Sequence, residues 1–286
     1  MTLVMMIVVA TMPLFLCLKL DIKEFAAMPD GVVIDTINDY DESGMTPLLH
    51  AARAGYLDAV LNIIKAGANI TKPSEYEGDS AVYLAAEGGH DIVVSALIRA
   101  GADVNHPNKL GITPIFAASQ VGYTRTVKVL VEAGAGIGRI SDNGLSPLMV
   151  AAIRGKPGVM EVLLEADPTG INMSTSTGET VLMSSVISRN AKCVAVALGA
   201  GAAVEAVDKK RRNALMYAAS RNLADIAQIL IDRGCDLDHK DKYGFSALDL
   251  AYVSNLFASL ITLMDSSWPS SLSFEIMITY ICVINI

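Results

Sequence analysis

Valine, isoleucine and leucine return at steps of three and four residues in DAVLNIIKAG, DIVVSALIRAG, RTVKVLVEAG, VMEVLLEAD and DIAQILIDRG. That spacing gathers apolar side chains on one helical face and leaves charged ones on the other. A shorter apolar segment precedes each stretch and carries a pair of mostly small residues: Ala51 and Ala52, Ala85 and Ala86, Ala118 and Ser119, Ala151 and Ala152, Ala218 and Ala219. Small side chains on a helix face let a neighbouring helix come close. The pattern predicts a succession of paired helices.

The pairs share one register. Thr46, Ser80, Thr113, Ser146, Thr180, Asn213 and Ser246 stand 34, 33, 33, 34, 33 and 33 residues apart, and each can cap a helix N-terminus. Pro47, Pro114 and Pro147 follow three of them at the first helical position, where the missing N–H costs nothing. Gly55, Gly89, Gly122 and Gly155 lie nine residues after their anchors and suit a left-handed stop. Gly67, Gly101, Gly134, Gly201 and Gly234 close the second helix 21 residues after theirs, whereas the fourth repeat has Asp167. A third glycine, two residues before the anchor in six repeats, marks a tight turn with positive φ. In the sixth repeat this slot holds Arg211, and the inter-helix slots of repeats five and six hold Arg189 and Asn222. The register asks these residues for a left-handed backbone, at about 1 kcal/mol for arginine, unless the turn at Arg211 relaxes to another shape.

A unit of turn, short helix, break, second helix and extended connection cannot bury both apolar faces alone, so the units must stack. GMTPLLHAARAG, GITPIFAASQVG and GLSPLMVAAIRG, with AGANI and AGADVN at the unit ends, resemble the ankyrin repeat over roughly residues 33 to 265. The resemblance implies an all-α, ankyrin-type helix-turn-helix solenoid with short β-hairpin fingers, seven repeats of which the last is incomplete. It divides the chain into an apolar N-terminal segment with a degenerate capping helix (1–32), the solenoid (33–265), and a C-terminal linker and apolar tail (266–286). The family's histidine, at the same place in each first helix, is replaced by Leu49, Tyr83, Phe116, Met149, Met183, Met216 and Asp249. Apolar packing takes over there from a turn-bracing hydrogen bond in most repeats, and the three methionines are expected between repeats rather than in a sulfur-rich binding stripe.

Composition narrows the function. With 52% hydrophobic, 18% charged and only 6% aromatic residues, the chain suits closely packed helices. A net charge of -8 and a pI near 5.0 argue against nucleic acid as a partner, because that affinity comes from neutralising phosphates. Cys17, Cys193, Cys235 and Cys282 form no CxxC pair and His50, His90, His106 and His239 are dispersed, so reduced thiols, no metal and no cofactor are expected. GAGIG at 134–138 and GAGAA at 199–203 follow helices and lack a completing lysine, which makes them helix stops and not phosphate cradles. With no GxSxG, no HExxH and no paired carboxylates, the chain reads as a non-enzyme without a small-molecule substrate.

Residues 3–18, LVMMIVVATMPLFLCL, are shorter than the roughly 20 residues of a membrane span, are broken by Pro13 and lack a basic leader. They read as part of an N-terminal half-repeat, with a signal or membrane anchor as the alternative. Under that alternative the sequons at Asn69 and Asn172 would become available for glycans. A cytoplasmic location is expected, with nuclear, secretory or membrane-attached locations as alternatives. The apolar end FEIMITYICVINI either folds over the last repeat or stands outside the fold.

What remains for function is surface. The resemblance implies that the turns project as fingers and, with the short first helices, line a groove that binds another protein. By register the finger candidates are Glu42, Met45, Tyr76, Asp79, Lys109, Leu110, Ile112, Asn143, Leu145, Glu179, Lys209, Lys210, Arg212, Tyr243 and Phe245. The groove candidates are Arg53, Glu87, Gln120, Arg154 and Arg221. Leu110, Ile112 and Leu145 are expected as exposed apolar tips. Residues 38–105 hold ten acids against four bases and residues 205–245 eight bases against seven acids, a gradient suited to orienting a partner. The basic run 209–212 thus becomes one projecting turn, read as a site for an acidic protein, nucleic acid or import receptor, or as a plain solvated finger. The function expected is a non-catalytic protein-protein interaction scaffold. A membrane-tethered or secreted repeat protein and a regulatory fragment of a larger enzyme are the alternatives.

Overall fold

Capping residues start the helices where the register puts them. The computed structural model describes residues 36–254, and six helical hairpins follow one another: α1 (Pro47–Ala54) with α2 (Leu57–Lys65), α3 (Ala81–Glu87) with α4 (Asp91–Arg99), α5 (Pro114–Val121) with α6 (Thr124–Glu132), α7 (Pro147–Ile153) with α8 (Pro157–Ala166), α9 (Val181–Ile187) with α10 (Ala191–Gly199), and α11 (Ala214–Ala219) with α12 (Ala224–Asp232). The side chains of Thr46, Ser80, Ser146, Thr180 and Asn213 each accept the backbone N–H three residues on. Thr113 has the same extended backbone but makes no such bond. Ser246 opens a helix that runs from 247 to the edge of the described residues. There Asp249, standing in the family's histidine slot, takes the Ser246 N–H at 2.8 Å while its own N–H reaches the serine hydroxyl at 3.2 Å. This is a reciprocal capping box.

First helices pack on first helices from α1 to α11, and second helices on second helices from α2 to α12, so the solenoid has two layers. The small-residue pairs Ala51/Ala52, Ala85/Ala86 and Ala151/Ala152 are fully buried where the layers meet. Leu97, Leu130 and Leu163 from the second helices complete that core, each adding roughly 2 kcal/mol by leaving water. Met149, Met183 and Met216 are each 1% exposed. They are packing between repeats and not a binding stripe.

The register's missing glycines leave a direct trace in the backbone. Among the described residues the non-glycine positions with positive φ are Arg189 (61°), Arg211 (59°) and Asn222 (55°), three of the four register slots there in which another residue replaces glycine. The turn at Arg211 has therefore kept its shape. At the other departure, Asp167, the chain leaves α8 in extended backbone and enters a 3-10 turn, Pro168–Asn172. The Asp167 carboxylate accepts the Thr169 N–H at 2.9 Å to start it, and buried Ile171 anchors it.

The fingers are hairpins in their hydrogen bonding but too short for strands. Asp41 N–H reaches the Met45 carbonyl at 2.9 Å, Asn108 that of Ile112 at 2.9 Å, and Asp208 that of Arg212 at 3.0 Å. Pairing stops there: among the described residues no strand forms, and an isolated antiparallel bridge joins Ser174 to Thr180. At the C-terminal edge an open apolar cleft of about 520 Å³ lies between α12 and the helix at 247, lined by Leu223, Ile231, Leu237 and Leu248. The segments 1–32 and 266–286, with their anchor and tail readings, lie outside the described residues. No helix among the described residues is long and apolar enough to cross a membrane.

Candidate interaction surface

Each finger is fixed from its base. Positions 41, 74, 108, 141, 175, 208 and 241 hold Asp, Ser, Asn, Ser, Thr, Asp and Asp, small polar side chains that can fold back on their own turn. Asp41 Oδ1 accepts the N–H groups of Ser43 (2.9 Å) and Met45 (2.8 Å). Asn108 does the same for Leu110 and Ile112, Thr175 for Thr177 and Glu179, Asp208 for Lys210 and Arg212, and Asp241 for Tyr243 and Phe245. Ser74 accepts from Asp79, whereas Ser141 donates to the Leu145 carbonyl. The spacing of 33 or 34 residues makes this staple legible in the sequence once the turn is known to need it.

Backbone bonds also tie one finger to the next: Glu75 N–H to Gly44 O (2.9 Å), Lys109 to Glu77 (2.9 Å), Asp142 to Leu110 (3.3 Å), Lys209 to Thr177 (3.0 Å) and Lys242 to Lys210 (2.9 Å). The tips thus sit on a stapled and cross-linked base.

This geometry corrects part of the candidate set. The position after the finger glycine carries Met45, Asp79, Ile112, Leu145, Glu179, Arg212 and Phe245. Its N–H and C=O close the turn, which aims the side chain back at the stack. Met45 is accordingly buried at 7% exposure, and Ile112 and Leu145 are half-buried against the core, so none of the three is a free tip. Asp79 takes a hydrogen bond from the Asn108 amide at 3.0 Å; burial is the main influence on its carboxyl and pushes it above the usual range. Only Phe245, on the last described finger, is exposed. The residues that do face solvent are the tips Glu42, Tyr76, Lys109, Leu110, Asn143, Lys209, Lys210 and Tyr243, together with Arg53, Glu87 and Arg154 on the first-helix layer. Gln120 is half-buried, and the Lys109 ammonium is held by the Glu75 carbonyl at 2.9 Å.

Repeats five and six are joined by a network that the sequence does not announce. Asp208, 6% exposed, receives Arg212 Nε (3.0 Å) and Nη2 (2.8 Å) and the Tyr217 hydroxyl (2.9 Å). Tyr217 also reaches Glu179 at 3.2 Å, and its single hydroxyl proton serves one carboxylate at a time. The Arg212 and Arg221 guanidinium carbons lie 4.7 and 5.1 Å from the Tyr217 ring centroid. Burial would raise the Asp208 carboxyl, but the Arg212 N–H, its guanidinium and the Tyr217 hydroxyl prevail and hold it below the usual value. Burial likewise pushes the Tyr217 phenol well up, with Asp208 adding to it. Arg212, Arg221 and Glu179 are therefore brought together around Tyr217. In repeat one the equivalent of Tyr217 is His50, whose Nε2 meets Asp41 Oδ2 at 2.6 Å.

Arg211 offers a clean check of the turn. Its left-handed φ costs about 1 kcal/mol, and its side chain is exposed. Arg211→Gly is expected to raise stability by about 1 kcal/mol in urea unfolding; an unchanged or lower midpoint would contradict the strain.

Among the described residues no group of three or more His, Cys, Asp or Glu side chains is placed to hold a metal ion. Cys193 and Cys235 are buried, and burial pushes their thiols up to about 11 and about 12. They are packing side chains in the protonated form at neutral pH.

Stacked two-helix units of about 33 residues with stapled, projecting turns define a helical repeat solenoid. The chain belongs to the ankyrin repeat family: "Ankyrin repeats (many copies)" matches residues 196–251, "Ankyrin repeats (3 copies)" matches 63–141 and 133–208, and "Ankyrin repeat" matches 43–75. It is 36% identical over 76 residues to the Ankyrin repeat and KH domain-containing protein mask-1 of Caenorhabditis elegans, covering 26% of this chain and 3% of that protein. It is 35% identical over 74 residues to the human Ankyrin repeat and KH domain-containing protein 1, again 26% and 3%. The chain thus spans only a few per cent of the length of these relatives. The human ASB11 ankyrin repeat domain superposes with a TM-score of 0.67 at 29% identity, covering 79% of this chain and 100% of that one. The ankyrin repeat domain of Bcl-3, at TM-score 0.66 and 24% identity over 76% of this chain and 100% of that one, shares the fold. Ankyrin repeat domains are in general protein-protein interaction modules.

Proposed function

We propose that the chain is a non-catalytic scaffold that holds a partner protein along its finger tips and the face of its first helices. The observation that carries this reading is the pair of exposed apolar tips on cross-linked fingers: Tyr76, 58% exposed, and Leu110, 54% exposed. The Tyr76 ring lies against Gly44 of finger one, and the bond from Lys109 to Glu77 holds the Leu110 turn beside it. Large apolar side chains fixed on a rigid base lose little entropy on binding and make efficient anchors. Around them Glu42, Glu75 and Glu77 are acidic at one end and Lys209 and Lys210 basic at the other, which would set a partner's direction.

The test is Tyr76→Ala combined with Leu110→Ala. Capture of the strongest partner recovered from lysate by the parent chain is expected to fall roughly tenfold or more, with the melting midpoint nearly unchanged. Equal recovery by variant and parent overturns the assignment of these anchors.

A further inference from the structure

We propose that fingers six and seven form a docking site for a short acidic peptide segment of a partner protein, with carboxylates seated on the finger tips and an apolar residue beside them. The inference rests on the scaffold reading and names the chemistry of one end of it. Finger six reads DKKRR at 208–212 and finger seven DKYGF at 241–245. In both, the aspartate is 6% exposed and its Oδ1 is used by the N–H groups of its own turn. Asp208 further neutralises Arg212. The cations left over are Lys209, Lys210 and Arg211 on finger six and Lys242 on finger seven, all exposed and without an ion pair among the described residues.

These four are held together. The Lys242 N–H bonds the Lys210 carbonyl at 2.9 Å, and His239 Nε2 bonds the Arg211 carbonyl at 2.8 Å, so the two tips stand side by side. Next to them Tyr243 is 64% and Phe245 45% exposed, with the Lys242 ammonium 4.8 Å from the Tyr243 ring centroid. The exposed acids nearby in the chain are Glu205, whose carboxylate accepts the Asp236 N–H at 2.8 Å, Asp232, Asp236, Asp238 and Asp249, and Lys240 lies within the field of Asp249. Lys240 is therefore left out of the set.

The geometry selects an extended segment. Neighbouring helices of one layer lie about 8–10 Å apart, and an extended chain of polyproline II type advances about 3.1 Å per residue with about three residues per turn. Acidic side chains about three residues apart then share one face and fall one on each finger, and a flanking apolar residue reaches Tyr243 and Phe245. A long polyanion or a charged membrane would also have to approach Glu42, Glu75 and Glu77 on a chain of net charge -8, whereas a short segment would not.

The experiment is selection from a displayed library of random twelve-residue peptides on the full chain, with counter-selection on Lys209→Glu/Lys210→Glu/Lys242→Glu. Enriched peptides are expected to be net acidic with an apolar flank and to lose at least tenfold in affinity for the triple variant and in high salt. Selected peptides without acidic bias, or equal binding to both proteins, overturn the proposal, as does tighter binding of parent to duplex DNA or phosphatidylserine vesicles than to any selected peptide. The three lysines make no ion pair, so the variant should melt like the parent; if it unfolds, single charge reversals at the same residues give the same readout. Loss of partner capture in Tyr76→Ala/Leu110→Ala with no acidic selection here would leave the scaffold reading standing and remove only this one.

Discussion

Replacing Asp208 by alanine is expected to lower the stability of the chain by about 3 kcal/mol at neutral pH. The variant leaves the N–H groups of Lys210 and Arg212, the Arg212 guanidinium and the Tyr217 hydroxyl without the oxygen atoms that now receive them. Unmet donors in a mostly buried place cost more than the net worth of the bonds themselves. The sign of the pH dependence follows from the lowered carboxyl of Asp208. A carboxylate with a depressed native value stabilises the fold above its ordinary pKa, near 3.9, and loses that contribution as pH falls through the native value. The gap between parent and variant in urea unfolding should be full at pH 7 and narrow below about pH 4. A gap that stays constant with pH would mean that Asp208 acts by packing alone.

The second large effect separates two glycines that look identical in sequence. Gly144 and Gly178 fill the same slot of repeats four and five with φ of 75° and 85°. A methyl group added at Gly144 meets no atom within 4 Å, whereas one at Gly178 comes within 3.0 Å of Asp208 Cα and of the Lys209 nitrogen. Gly144→Ala should cost only the left-handed backbone, about 1 kcal/mol. Gly178→Ala must also push finger six off finger five, for about 2–3 kcal/mol in all. Thermal melting of the two variants checks this, and equal midpoints would show that finger spacing does not matter.

Much of the architecture is legible before any coordinates. Caps at Thr46, Ser80, Ser146, Thr180 and Asn213 depend on local hydrogen bonds spanning three residues, and local bonds leave a local trace. The left-handed backbone at Arg189 and Asn222 is legible for the same reason, since register fixes the shape that each turn needs. The surface is less legible. Met45, Ile112 and Leu145 sit on turns that the sequence marks as projecting, yet the bonds that close each turn direct their side chains inward. Asp208 and Tyr217 meet across nine residues, and Glu179 joins them from the preceding repeat. The nine-residue spacing recurs in Asp41 and His50, whereas the contact with Glu179 has no counterpart that the repeat spacing marks.

The sequence by itself determined the repeat length, the helix pairs, the caps and the left-handed slots at Arg189 and Asn222, because each is enforced within one 33-residue unit and then copied. Tertiary structure decided which polar residues remain available to a partner. Arg212 and Asp79 are taken up by neighbouring turns and side chains, while Lys209, Lys210, Leu110 and Tyr76 are left to solvent. Charge and hydropathy are properties of a residue, but availability depends on what the next repeat places against it.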